Sequence, residues 1–276
     1  MKLPADTAPS PFDRSILTMR RARARDDALF LHHAAMDEVQ DRLLMVNRSF
    51  TAPAIITPFP HLWRDFLPAA TIIADNEVLE LERGSHDLVI HAMALHWTND
   101  PVGQLIQCRH ALRPDGLLLG VCPGGETLHE LRAALGQAEI EVTGGLSPRI
   151  APMAELRDLG GLLQRAGFAL PVADRATVTA EYRDLMHLMH DLRAMGETNI
   201  LIARLKYPTQ RLVFDKAQTI YNRHFASPQG RLLATFELIC LTGWSPHDSQ
   251  PQPLRPGSAR MRLAEALGTK EGKLSD

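Results

Sequence analysis

His96 and Trp97 stand side by side just beyond an apolar run, and their types suit the wall of a pocket. An imidazole there can exchange a proton or a hydrogen bond with a bound group, and an indole adds a flat apolar face with one N–H donor. His91, inside the run, reads as a core histidine whose bonds are met internally. Gly124 and Gly125 lead into Glu126 and Thr127, a flexible turn ahead of a helix. The turn is either a loop that closes over a ligand or a strand-to-helix corner, and Glu126 is the candidate catalytic carboxylate beside His96 and Trp97. His187, His190 and Asp191 share one helix face at spacings of three and four, a set that could ligate a metal. That helix also carries Met186, Met189 and Met195, which read as core packing, and no metal is expected. Arg20, Arg21, Arg23 and Arg25 could meet phosphate or an acidic partner, but a run of this size reads as a solvated helix face.

The elements that position these groups are legible from apolar patterning. Residues 88–92 and 117–121 are short runs without a wet face, as buried parallel strands are. Between them residues 101–112 form a helix, opened by Asn99 and Asp100 and closed by a turn of Arg113, Pro114, Asp115 and Gly116. Strand, helix, turn and strand make one βαβ unit. Upstream, residues 54–57 and the TIIAD segment at 71–75 read as strands, and residues 12–46 as two helices broken near Asp26 or His32. Downstream, residues 153–166 form a helix ended by Gly167 and 172–180 alternate as a strand. Helices over 183–195 and 209–225 precede a last strand over 232–244.

A chain of 276 residues with 45% hydrophobic and 22% charged content describes one sizeable domain with extensions. The expected layout is a loose segment 1–11, helices over 12–48, an α/β domain over 49–244 with a helical insertion at about 183–226, and an extended tail over 245–276. A formal net charge of −2 gives no reason to propose a nucleic-acid partner. Cys108, Cys122 and Cys240 lack any paired spacing, which fits a reducing compartment and buried thiols. No apolar run reaches the roughly 20 residues that cross a bilayer. The expected location is the cytoplasm, including the inner face of the membrane.

The words DLVI at 87, ALHWTND at Ala94, LRPDG at Leu112 and an apolar strand follow in an order that resembles class I S-adenosylmethionine-dependent methyltransferases. With FDR at Phe12, GGETLHELR at Gly124, GGLSPRIAP at Gly144, DLGGLLQRAGF at Asp158, DLRAMGETN at Asp191 and GWSPHDSQPQPLRPGSA from Gly243, the resemblance narrows. It is to the complex I assembly factor 5 proteins, relatives of the biotin-pathway methyltransferase that acts on malonyl carrier protein. The resemblance implies a Rossmann-like α/β fold and a role on a quinone-module subunit of respiratory NADH dehydrogenase. It also implies adenosylmethionine in the superfamily's usual place, with Asp75, Asn76, Ala94 and His96 beside it. Trp97, Gly124, Gly125, Ser147 and Pro148 would then face the substrate or partner.

One feature of the superfamily is missing. Its first strand leads into a glycine-rich turn, because only glycine lets the backbone approach the cofactor closely. Here residues 54–57 lead into Pro58, Phe59 and Pro60, and no glycine occurs between Phe50 and Arg83. The spacing from residue 56 to 72 is also too short for two βα units, so one strand and its helix are absent. Asp75 then ends either the second strand, as a ribose-binding acid, or the third, as an adenine-contacting one. The expected protein is methyltransferase-like, with degenerate or lost adenosylmethionine binding. Its alternatives are an active methyltransferase, a protein-arginine hydroxylase and a carrier-protein methyltransferase.

Overall fold

The computed structural model describes residues 10–251 with 265, 268 and 269. Most of the expected loose segment 1–11 and of the expected tail 245–276 therefore lies outside the described residues. Met1–Pro246 forms one compact unit and His247–Asp276 another; the site lies in the first.

Six strands, β1 (Pro53–Thr57), β2 (Thr71–Ala74), β3 (His86–Ala92), β4 (Leu112–Pro123), β5 (Ala169–Tyr182) and β6 (Leu232–Trp244), form one sheet in the order β2-β1-β3-β4-β6-β5. β1 runs parallel to β2 and β3, and β3 to β4, whereas β6 is antiparallel to β4 and β5. The fold is that of the class I methyltransferases, shortened at its first units as the spacing predicts. Asp75 follows β2, which lies directly beside β1 at the end of the strand order.

Side chains of the parallel strands alternate between two cores, as strand geometry dictates. Ile55, Leu88, Ile90, Leu117 and Leu119 join one core with α2 (Phe30–Val46), α5 (His129–Thr143), α7 (Leu185–Ala194) and α8 (Arg211–Phe225). Ala54, Ile56, Val89 and Leu118 join the other with α4 (Pro101–Ala111) and α6 (Leu156–Arg165). Both faces being covered, these strands need no polar side, which is why they read as unbroken apolar runs. The three cysteines sit in these cores, and burial pushes each thiol up to about 12. They are chemically quiet.

α4 begins as expected: the Asp100 carboxylate accepts from the Gly103 N–H at 2.8 Å and Pro101 opens the helix. Its expected closing turn is instead the start of β4. Leu112 pairs with His86, the register then shifts across residues 113–116, and the ladder resumes at Leu117 opposite Leu88. The N-terminal helices are α1 (Arg14–Arg21) and α2, separated by a 3-10 turn at Asp26–Ala28. The break is thus at Asp26, and His32 lies inside α2.

Candidate functional site

Three segments far apart in sequence meet at the carboxyl edge of the parallel strands. β3 ends at Ala92 and, through Met93 at φ 53, leads into a 3-10 turn, Leu95–Trp97, that carries His96 and Trp97. Phe12 packs edge-on against Trp97 with ring centroids 5.2 Å apart. Asp13 caps α1, its carboxylate accepting from the Ile16 N–H at 3.3 Å, and so aims the helix at this edge. The segment after α7 supplies Glu197. Gly196 makes that approach feasible: its φ is 79, and a Cβ there would stand 3.1 Å from the Arg21 Cα.

Two carboxylates and two guanidiniums lock these segments together. Arg21 donates to Asp75 Oδ2 at 2.6 Å and to Glu197 Oε1 at 3.5 Å, and Arg14 reaches Asp75 Oδ2 at 3.2 Å and the Trp97 carbonyl at 3.4 Å. The other Glu197 oxygen accepts from His96 Nε2 at 3.1 Å and from the Trp97 indole N–H. Burial pushes the Glu197 carboxyl up, but His96, Arg21 and the indole N–H outweigh it and hold its pKa down to about 2. Since Nε2 faces a carboxylate it carries a proton, an assignment made from that partner. His96 Nδ1 has no hydrogen-bond partner among the described residues, although the side chain is only 5% exposed.

Beside this network lies a cavity of about 340 Å³ to which His96, Trp97 and Glu197 contribute. Its walls come from α5, α7 and the segment after α7, including Leu128, Leu131, Met189, Leu192 and Met195. Thr127 and Leu128 of the GGET word line it, as does Pro148.

The place that the superfamily gives its cofactor is built differently. After β1, Pro58 and Pro60 have no N–H to offer, and the Phe59 N–H is taken by Thr57 Oγ1 at 3.2 Å. The Phe59 ring turns inward against His32, centroids 5.0 Å apart, and the buried Trp63 donates its indole N–H to His32 Nδ1 at 3.1 Å. Burial drives the His32 pKa down to about 3, so His32 is a neutral acceptor here. Three rings fill the space over β1, and the acid that would meet a ribose or an adenine is bound by Arg14 and Arg21. These residues do not fit adenosylmethionine in the usual place.

The residues singled out from sequence divide accordingly. His96, Trp97 and Pro148 line the cavity. Asp75 sits in the charged network, Ala94 is buried, and the Asn76 carbonyl accepts from Gln104 Nε2 at 2.7 Å. Gln104 Oε1 in turn lies 2.8 Å from His91 Nε2; His91 is fully buried, as a core residue is, but its Nδ1 has no partner among the described residues, so its bonds are only half met. Gly124 serves packing: a Cβ there would fall 2.4 Å from Glu237 Oε2. Gly125 stands beside Glu155, and the Glu126 side chain is exposed next to His129, away from the cavity. Ser147 bonds to Glu139 and lines a second cavity. Asp191 accepts from the Tyr182 hydroxyl at 2.7 Å, and no group of three metal-ligating side chains occurs among the described residues. Arg21, expected on a solvated helix face, is instead buried between Asp75 and Glu197, and Arg20 lines the cavity; Glu197 and Arg14 carry no expectation from spacing, although Glu197 lies in the GETN word and Arg14 in the FDR word.

Comparison with known proteins agrees with this fold. A profile described as a methyltransferase domain matches residues 56–120. The chain is 40% identical to "Arginine-hydroxylase NDUFAF5, mitochondrial" of Danio rerio across 75% of its own length and 64% of that protein's. It is 34% identical to the malonyl-[acyl-carrier protein] O-methyltransferase of Laribacter hongkongensis across 64% of its length and 57% of the relative's. The matched part is thus less than two thirds of either relative. Among solved structures, the YcgJ protein of Bacillus subtilis superposes with a TM-score of 0.50 over 78% of this chain and all of that one, at 10% identity. The chain has the methyltransferase fold and is similar in sequence to the NDUFAF5 proteins and, less closely, to the malonyl carrier-protein O-methyltransferases.

Proposed function

We propose that this chain is a methyltransferase-fold binding protein that acts in the assembly of respiratory NADH dehydrogenase. It would recognise a quinone-module subunit with the face that carries His96, Trp97 and the cavity mouth, without adenosylmethionine in the superfamily's usual place. One contrast carries the reading. On the β1 side Phe59, His32 and Trp63 fill the cofactor's space and Arg14 and Arg21 take its acid, whereas on the β4 side a cavity stays open beside His96. The relatives' likeness supports the client, and the proposal keeps the chain in the cytoplasm at the inner membrane face. Among the described residues no helix is long and apolar enough to cross a membrane.

A second reading takes its reaction from the relatives' name, modification of an arginine side chain, and draws on Glu197 as the acid that lines the cavity. Glu197 is already matched by Arg21 and His96, so an incoming guanidinium would have to displace them. Methyl transfer to a carrier protein needs adenosylmethionine and weakens with the cofactor's place.

The test has two arms. Calorimetric titration with S-adenosylmethionine and S-adenosylhomocysteine, beside an Asp75→Ala variant, is expected to give no heat. Capture of a quinone-module subunit is expected with the wild type and lost in Trp97→Ala. Micromolar adenosylmethionine binding that weakens in Asp75→Ala would overturn the first part of the proposal, and failure of capture the second.

A further inference from the structure

The cavity beside His96 has a charge balance that none of the readings above uses. Four arginines line it, Arg20, Arg149, Arg193 and Arg204, against one carboxylate, Glu197. Glu197 is matched by Arg21, Arg149 by Glu139 at 2.7 Å, and Arg204 lies 3.7 Å from Asp13. Arg20 and Arg193 have no carboxylate within ion-pair distance among the described residues; Arg20 bonds only to the Asn199 carbonyl. Burial and then the neighbouring Arg204 pull the Arg20 pKa below its ordinary value against the opposing charge of Asp13, and Arg193 adds to the shift. His96 adds a buried ring nitrogen that no group among the described residues meets.

Much of the remaining lining is apolar, with Met93, Leu131, Met189, Leu192, Met195 and Phe236 on it, beside the polar Thr127, Thr198, Asn199 and Thr209. A small polar anion would leave the apolar walls uncovered, and a neutral hydrocarbon would leave the half-buried Arg20 unmatched, with the exposed Arg193 beside it. The second cavity shares Arg149, Leu205, Tyr207 and Thr209 with the first, so the two adjoin. Leu146 and Tyr207 stand exposed along it.

We propose that this cavity binds an aliphatic carboxylate, its head held by Arg20 and Arg193 and its chain lying along the methionine- and leucine-lined wall. The preference goes beyond the client reading and is independent of it. An arginine side chain, by the same charge balance, is disfavoured as the occupant.

The probe is sodium dodecanoate, titrated calorimetrically into the full chain well below its micellar concentration, with dodecanol and dodecyl phosphate as comparison ligands. Dodecanoate is expected to bind at micromolar concentration, and dodecanol at least about tenfold more weakly, a difference of about 1.4 kcal/mol. Arg20→Gln and Arg193→Gln, checked by thermal melting to be folded, are expected to lose about tenfold for dodecanoate and nothing for dodecanol. Equal affinity for the alcohol, undiminished binding in both variants, or no dodecanoate binding would overturn the proposal. Preference for dodecyl phosphate would overturn its assignment of the head. Capture of the NADH dehydrogenase subunit is read separately, so loss of either result leaves the other standing.

Discussion

A neutral histidine buried in a core makes a protein sensitive to acid, and His32 is such a residue. Burial holds its pKa at about 3, while an unfolded chain takes up the proton near the ordinary 6.5. Below pH 6.5 the unfolded state therefore binds a proton that the folded state refuses, and stability falls as pH falls, until about pH 3. Glu197 adds to the same trend lower down. Its folded pKa of about 2 lies below the ordinary 4.5, so its contribution is present above 4.5 and is lost as pH falls toward 2. His32→Gln retains an acceptor for the Trp63 indole and removes the titration. Between pH 6.5 and 5 the wild type is expected to lose about 2 kcal/mol more than the variant, at roughly 1.4 kcal/mol per pH unit. Urea unfolding at the two pH values measures it, and equal losses would show that His32 accepts its proton while folded.

At the scale of elements, the packing of α1 against the segment after α7 rests on one glycine and one arginine. Gly196→Ala puts a Cβ at positive φ and 3.1 Å from the Arg21 backbone, and is expected to cost about 1–3 kcal/mol in denaturant unfolding. Arg21 is only 7% exposed at its side chain and faces both Asp75 and Glu197. Arg21→Leu leaves two carboxylates facing an apolar side chain, with an expected cost of roughly 3–5 kcal/mol. Adding Asp75→Asn to it should recover part of that loss, whereas strict additivity would mean that the pair does not interact. These contacts mark the limit of what the sequence discloses. Strands 88–92 and 117–121 and the helix between them were readable because burial on both faces leaves an unbroken apolar signal. His96 and Trp97 were placed by the same unit. Glu197 and Arg21 were not, because their pairing joins segments with no common spacing. The Pro-Asp-Gly residues looked like a free turn since local propensity cannot register that Leu112 already pairs with His86.

At the scale of the molecule, the missing strand changes which strand is the edge. β2 has four residues and a mixed burial pattern, and among the described residues no strand pairs beyond it, whereas β4 lies between β3 and β6. An edge strand opens locally at lower free energy than a central one, because half its backbone hydrogen bonds are absent and little apolar surface is exposed by the opening. Asp75 and Glu77 follow β2 directly, and Arg14 binds both, at 3.2 and 3.8 Å, in addition to the Asp75 carbonyl. Arg14 therefore acts as the clamp that an outer strand would otherwise supply. Amide hydrogen exchange should show residues 71–74 opening well before residues 117–121 in the wild type. In Arg14→Gln, exchange at 71–74 is expected to rise several-fold further, with 117–121 unchanged. A uniform rise across both strands would mean that Arg14 stabilises the whole domain and does not clamp its shortened edge.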